Sequence, residues 1–283
     1  MPIAFFKRRR RDALRAEPAP AEWGGILERN MPVFARLSAE DRAELLGHVQ
    51  VFLAEKNLEG CGGLELTDEI RVTIAAQACL LLLHRDTDYY PRLRSVLVYP
   101  STYFVPGEHH VGGDVWAEGE EAYLGHTQQQ LGALVLAWDA ARGGPTNPLD
   151  GDNLVLHEFA HQLDFEDGAT DGTPPLAGRE EYATWERVME AEMRALRDAE
   201  RRGRPTVLDT YGAENPAEFF AVATEAFFER PRELRENHPE LFAALRAFFR
   251  QDPTTYHPEP PPAADPPRDE PPPRRRTTRR SAP

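Results

Sequence analysis

His157-Glu158-Phe159-Ala160-His161 places two histidines four residues apart with a glutamate directly after the first. On a helix of about 3.6 residues per turn, positions i and i+4 lie one above the other on the same face. Both imidazoles can therefore reach one ion. Glu158 is offset by about 100° around the same helix, where it can take the proton of a water activated by that ion. This is the layout of a zinc-dependent peptidase. The flanking residues support a helix: Asp152 offers an N-cap, and Leu154, Phe159, Ala160 and Leu163 form one apolar stripe. Asp164 follows His161 by three positions and His157 by seven. It shares their face and is a candidate to orient an imidazole from behind.

Working outward, the 283 residues fit one to two domains. A hydrophobic content of 41% and a charged content of 28% describe an ordinary soluble globular chain. The most apolar stretch, Ile74 to Leu83, is too short to span a bilayer and contains Gln77, so no membrane partner is expected. Phe5-Phe6 precedes the basic run Lys7-Arg8-Arg9-Arg10-Arg11, the reverse of the order in a secretory signal. A cytoplasmic location is expected. Cys61 in a Gly-rich turn and Cys79 in an apolar helix fit a reducing compartment. The net charge of −14 argues against direct nucleic-acid binding by the folded part. The basic clusters, at Lys7–Arg11 and in the Arg274–Arg280 region, fall in segments that read as solvated tails, with contact to a membrane surface or a nucleic acid as the alternative.

Residues 1–22 read as a disordered basic segment, 23–252 as the folded domain, and 253–283 as a Pro/Arg-rich tail with too few apolar residues to fold. Within the domain, a helical part runs over about 23–90 and the catalytic core over about 91–252. Ser38 with Asp41 forms a capping box. Thr67 opens a helix from about Asp68 to Leu83 that is apolar nearly all the way round, and so buried. Ser95–Tyr99 is rich in β-formers, Tyr103-Phe104-Val105 is a strand fragment, and Val115 to Ala117 is a further candidate to pair nearby. Gln130–Trp138 is a strand or a short helix. A strand is favoured because a peptidase needs a sheet edge beside its site to hold an extended substrate. Tyr182 to Arg202 is a charged amphipathic helix, Pro216 opens a helix to about Phe228, and Glu240–Phe249 forms the last. The fold class is α+β: mainly helical, with a small mixed sheet.

Catalytic zinc normally has three protein ligands and one open position. Glu218 is the candidate for the third, as a carboxylate at the start of the apolar, aromatic segment Asn215-Pro216-Ala217-Glu218-Phe219-Phe220-Ala221-Val222. The same residues also make a capping box without metal, with Asn215 as N-cap, Pro216 at N1 and Glu218 at N3. Glu225, seven positions on, lies on the same face and needs a cation or donors if buried. His109, His110 and His126 read as surface-loop histidines.

His157–Asp164, Tyr211 and Asn215–Val222, together with Ile70-Arg71-Val72-Thr73-Ile74-Ala75-Ala76-Gln77-Ala78-Cys79, make the chain similar to the Mlc titration factor A family of zinc peptidases over roughly Trp23 to Phe249. That family's catalytic core is similar to the peptidase domain of anthrax lethal factor, in which a Tyr stands seven positions before the ligand Glu, as Tyr211 does before Glu218. The resemblance implies a zincin-like fold and one zinc per chain. It gives His157, His161 and Glu218 as ligands, Glu158 as general base and Tyr211 as hydrogen-bond donor to the oxyanion. It implies a peptide or protein substrate, with aminopeptidase activity reported for members. It also implies a second role, binding and inactivating a transcriptional repressor linked to sugar uptake. Val222 stands where many Glu-liganded zinc peptidases carry an Asp, which leaves Asp164 and Glu225 as candidates to support the ligands.

Overall fold

A computed structural model describes residues 2–101, 132–144 and 152–257. The strand fragments expected at Tyr103–Val105 and Val115–Ala117, and His109, His110 and His126, lie outside the described residues. The chain is mainly helical around a three-stranded sheet. Helix α1 (Pro2–Ala16) and α2 (Ala21–Asn30) lead into α3 (Ala39–Glu55), strand β1 (Asn57–Gly60) and α4 (Asp68–Leu80). Strands β2 (Ser95–Tyr99) and β3 (Ala133–Ala137) follow, then α5 (Trp138–Gly143), α6 (Leu154–Asp164), α7 (Arg179–Arg201), α8 (Pro216–Glu229), α9 (Pro231–Asn237) and α10 (Pro239–Phe249). Among the described residues, no helix is long and apolar enough to cross a membrane.

The sheet order is β1-β2-β3, and both pairs are parallel, with Asn57 opposite Ser95 and Ser95 opposite Ala133. The expected mixed sheet is thus parallel among the described residues. A parallel pair needs a crossover connection, and α4 lies between β1 and β2 in the chain. Gln130–Trp138 supplies a strand, β3, but Trp138 already opens α5. Helix α4 begins where Thr67 Oγ1 accepts from the Ile70 amide, and every residue from Val72 to Leu80 is buried. Two of its buried polar side chains find partners inside the fold: Thr73 accepts from Asn30 Nδ2 at 3.0 Å, and Gln77 Nε2 donates to the Ala141 carbonyl at 2.9 Å. Cys79 is fully buried in this helix.

Helix α6 is clamped on two sides. Phe159 lies edge-on against Tyr90 and Phe52, at centroid distances of 4.9 and 5.7 Å. Its other side packs against α8, a helix buried from Phe219 to Glu229 and backed by Trp185, Phe248 and Phe249.

The two ends of the chain are more ordered than composition suggests. Residues 1–22 read as disordered, yet Pro2–Ala16 is helical. The reason is Arg11, whose guanidinium donates to both carboxylate oxygens of Glu55, at 2.8 and 2.7 Å, and to Asp88 at 2.6 Å. It also stacks 4.6 Å above the Tyr89 ring. One residue of the basic run thus finds partners 44 and 77 positions away. At the other end, Pro253–Thr255 forms a 3-10 turn, and Tyr256 and His257 are buried, so the folded part reaches past the expected boundary at 252.

Arg11→Ala removes the partner of the largely buried Glu55 carboxylate. It is expected to cost about 2 kcal/mol, below the usual figure for a buried pair because Asp88 remains solvated. Urea unfolding measures the loss, and amide exchange should show α1 opening; unchanged protection of α1 would contradict the role given to Arg11.

Candidate metal centre

Two helices meet at this site. Helix α6 starts at Asn153, whose Oδ1 accepts from the Leu156 amide at 3.1 Å; the cap is Asn153 rather than Asp152. From there the helical repeat carries His157 and His161 to the face that looks onto α8, with ring centroids 4.9 Å apart. Helix α8 starts at Asn215, whose Oδ1 accepts from the amides of Ala217 and Glu218 at 3.0 Å each, with Pro216 in the first turn. The cap uses the Glu218 backbone and leaves its carboxylate free to reach the imidazoles. Capping and ligation are therefore compatible at this position.

Three acceptor atoms converge. His157 Nε2 is 3.1 Å from Glu218 Oε2, His161 Nε2 is 3.3 Å from the same oxygen, and the two Nε2 atoms are 3.2 Å apart. Tetrahedral zinc, with bonds of about 2.0–2.1 Å, spaces its ligand atoms about 3.3 Å apart. His157, His161 and Glu218 thus form a group able to hold a metal ion. On the far side of His157, Nδ1 lies 2.7 Å from Glu225 Oε1. A carboxylate there accepts a hydrogen bond from Nδ1–H and so turns the Nε2 lone pair toward His161 and Glu218. Without a cation the imidazoles meet the carboxylate by hydrogen bonding; with the imidazoles neutral, two nitrogens and a carboxylate are a donor set that fits a divalent ion.

The electrostatics follow from this packing. Burial opposes ionisation of Glu218, but hydrogen bonds from His157 and His161 outweigh it and hold the carboxyl well below its ordinary range. Burial likewise opposes the charge on His157, and the carboxylates of Glu225 and Glu218 overcome it, raising its pKa. Glu158 is shifted upward by burial, with the two histidines opposing. Tyr211 lies in a 3-10 turn (Thr210–Ala213) with its ring 6.1 Å from that of His157. Burial, then the charges of Glu218, Glu214 and Glu158, push its phenol far above the ordinary value. It stays a donor at any physiological pH.

Two supporting residues escaped the sequence reading. The Asn153 amide donates to Glu225 Oε2 at 2.6 Å, and its side-chain Nδ2 donates to Glu229 Oε1 at 2.9 Å. Glu229 lies one helical turn beyond Glu225, a spacing the sequence displays without naming its partner. Asp164 is fully buried, and its Oδ2 accepts from the Gly172 amide at 2.9 Å. Gly172, at φ 77°, passes so close to α8 that an added Cβ would lie 2.2 Å from the Pro216 carbonyl oxygen. Asp164 thus pins a loop against the turn that presents Glu218. A second group, Asp41, Glu44 and His84, is more exposed, and its members already pair with one another.

The profile of the glucose-regulated metallo-peptidase M90 family matches residues 5–250. An uncharacterised protein of Synechocystis sp. is 41% identical over 244 residues, covering 86% of this chain and 89% of its own. The Mlc titration factor A proteins of Yersinia enterocolitica and Yersinia pestis are 30% and 31% identical over 236 residues. These alignments cover 82% of this chain and 86% and 85% of theirs.

Burial pushes the Asp164 carboxyl up to about 6, against the hydrogen bond from Gly172. A carboxyl whose pKa is higher folded than unfolded adds stability below about pH 4 and loses it as pH rises through the folded value. Asp164→Asn keeps an acceptor for the Gly172 amide. Relative to wild type, it is expected to gain about 1–2 kcal/mol between pH 4 and pH 7. Paired urea titrations of the metal-free protein check this; an equal difference at the two pH values would refute it.

Proposed function

The chain belongs to the glucose-regulated metallo-peptidase M90 family, and from that premise we propose that it is a zincin-like, zinc-dependent peptidase with one zinc held by His157, His161 and Glu218. The observation that carries the reading is the convergence of their three acceptor atoms within 3.1–3.3 Å. When bound there, zinc supplies a Lewis acid for the scissile carbonyl and lowers the pKa of the attacking water.

The protein's own residues do the rest. Glu158, its pKa raised by burial, takes the proton of the attacking water and returns it to the leaving nitrogen. Tyr211, held protonated, donates a hydrogen bond to the oxyanion that develops in the transition state, a charge absent from the bound substrate. Glu225 fixes the tautomer and orientation of His157, and Asn153 fixes Glu225. Asp164 acts one step further out, through the Gly172 loop. Among the described residues β3 pairs only with β2, which offers an edge to which an extended peptide can add as a strand. Short peptides trimmed from their amino end are the proposed substrates, and the cytoplasm is the proposed location.

The names of the Yersinia relatives favour a second reading, in which the chain binds and inactivates a transcriptional repressor of sugar uptake. The two activities are separable by experiment. Glu158→Gln is expected to retain stoichiometric zinc while losing about 10²–10⁴ in kcat on a peptide panel. If wild type holds zinc yet cleaves nothing in the panel, the repressor-binding reading replaces catalysis.

Tyr211→Phe should lower kcat by about 10²–10³ with KM nearly unchanged, because the hydroxyl acts on the transition state. A rise in KM alone would assign Tyr211 to substrate packing. Glu218→Ala is expected to abolish tight zinc binding, read by metal analysis after dialysis; unchanged affinity would remove it from the ligand set.

A further inference from the structure

Phe5 and Phe6 are exposed large apolar side chains, with 63% and 64% of their surface open to solvent. They stand side by side on α1, with ring centroids 6.0 Å apart. Helical spacing sorts the residues that follow. Lys7, Arg11 and Leu14 share the inward face: Lys7 and Arg11 pair with Asp88, and Leu14 packs against the core. The ion pairs of α1 use Lys7, Arg11 and Arg15, which leaves Arg8, Arg9 and Arg10 exposed beside the two phenylalanines. Because Arg11 is clamped by Glu55 and Asp88, the orientation of this face on the folded body is fixed.

A helix face that joins bulky apolar side chains to flanking arginines is suited to the boundary between lipid headgroups and acyl chains. We infer that the outward face of α1 docks the folded protein on an anionic phospholipid surface. Phe5 and Phe6 enter the acyl boundary, and Arg8, Arg9 and Arg10 lie among the phosphates. Charge complementarity selects this occupant. The chain as a whole carries −14, so attraction to an anionic layer has to come from a local basic cluster, and among the described residues the run Arg8-Arg9-Arg10 on this helix provides one beside exposed apolar side chains. A nucleic acid would need a longer basic track, whereas here Asp12 is exposed one turn along. Composition alone makes this run a solvated segment; its fixed docking through Arg11 turns it into a surface.

Co-sedimentation of the full chain with vesicles tests this, using phosphatidylcholine alone or mixed with phosphatidylglycerol. Binding should require phosphatidylglycerol. Arg8→Gln/Arg9→Gln/Arg10→Gln should weaken it by on the order of 100-fold. Phe5→Ser/Phe6→Ser, which keeps every charge, should weaken it by about tenfold or more. Both variants alter exposed side chains only, and unchanged circular dichroism confirms that they fold. Three results overturn the inference: no vesicle binding, equal binding by wild type and the phenylalanine variant, or tighter binding to duplex DNA or RNA at the same ionic strength. A self-association of wild type that Phe5→Ser/Phe6→Ser dissolves would also overturn it, by assigning the face to a second copy of the chain.

Discussion

Burying carboxylates is the constraint on which the rest of the structure depends. Helix α8 carries Glu218, Glu225 and Glu229 along an otherwise apolar, aromatic helix, and an ionised carboxylate cannot remain buried without donors or a cation. Helix α6 supplies what they need. Its Asn153 gives an amide to Glu225 and a side-chain donor to Glu229, and its histidines meet Glu218 and Glu225. The packing of these two helices and the chemistry of the site are therefore one arrangement. Phe159 and its aromatic neighbours then fix where the pair sits in the core.

Much of this was legible locally. The helix of His157 and His161 follows from its apolar stripe, and that of Glu218 from Asn215-Pro216 and a long apolar run, because caps and periodicity act within a few residues. Glu218 and Tyr211, which come from segments at least 50 residues further on, also lie near the two histidines. What the sequence did not display are relations between distant segments. Strand β1 is only Asn57-Leu58-Glu59-Gly60, with one buried residue, too short for any alternation to show. The parallel direction of the sheet depends on how α4 returns the chain. Arg11 looked like one of five equivalent basic residues until Glu55 and Asp88 were seen beside it. Short helix α9 likewise has too few residues to register a period.

Family membership and geometry bear on different questions. The family fixes the broad chemistry, that of a metallopeptidase. The geometry adds which residues support which: Glu225 and Asn153 hold His157, while Asp164 and Gly172 hold the loop beside the turn that carries Glu218. These supports come from segments well separated in sequence, so the site is set by the tertiary fold and not by the five-residue motif alone.

Two of the proposed ligands and the proposed base share one rigid helix, whereas Glu218 belongs to another. The spacing within α6 is set by helical geometry and hardly varies, so the triangle of acceptor atoms has one fixed side, and the two sides that end on Glu218 change together with the gap between α6 and α8. On the proposed ligand set, metal affinity would accordingly work as a gauge of that gap. Any contact that nudges α8, including one made far away on its aromatic backing, would then be converted into a gain or loss of the ion.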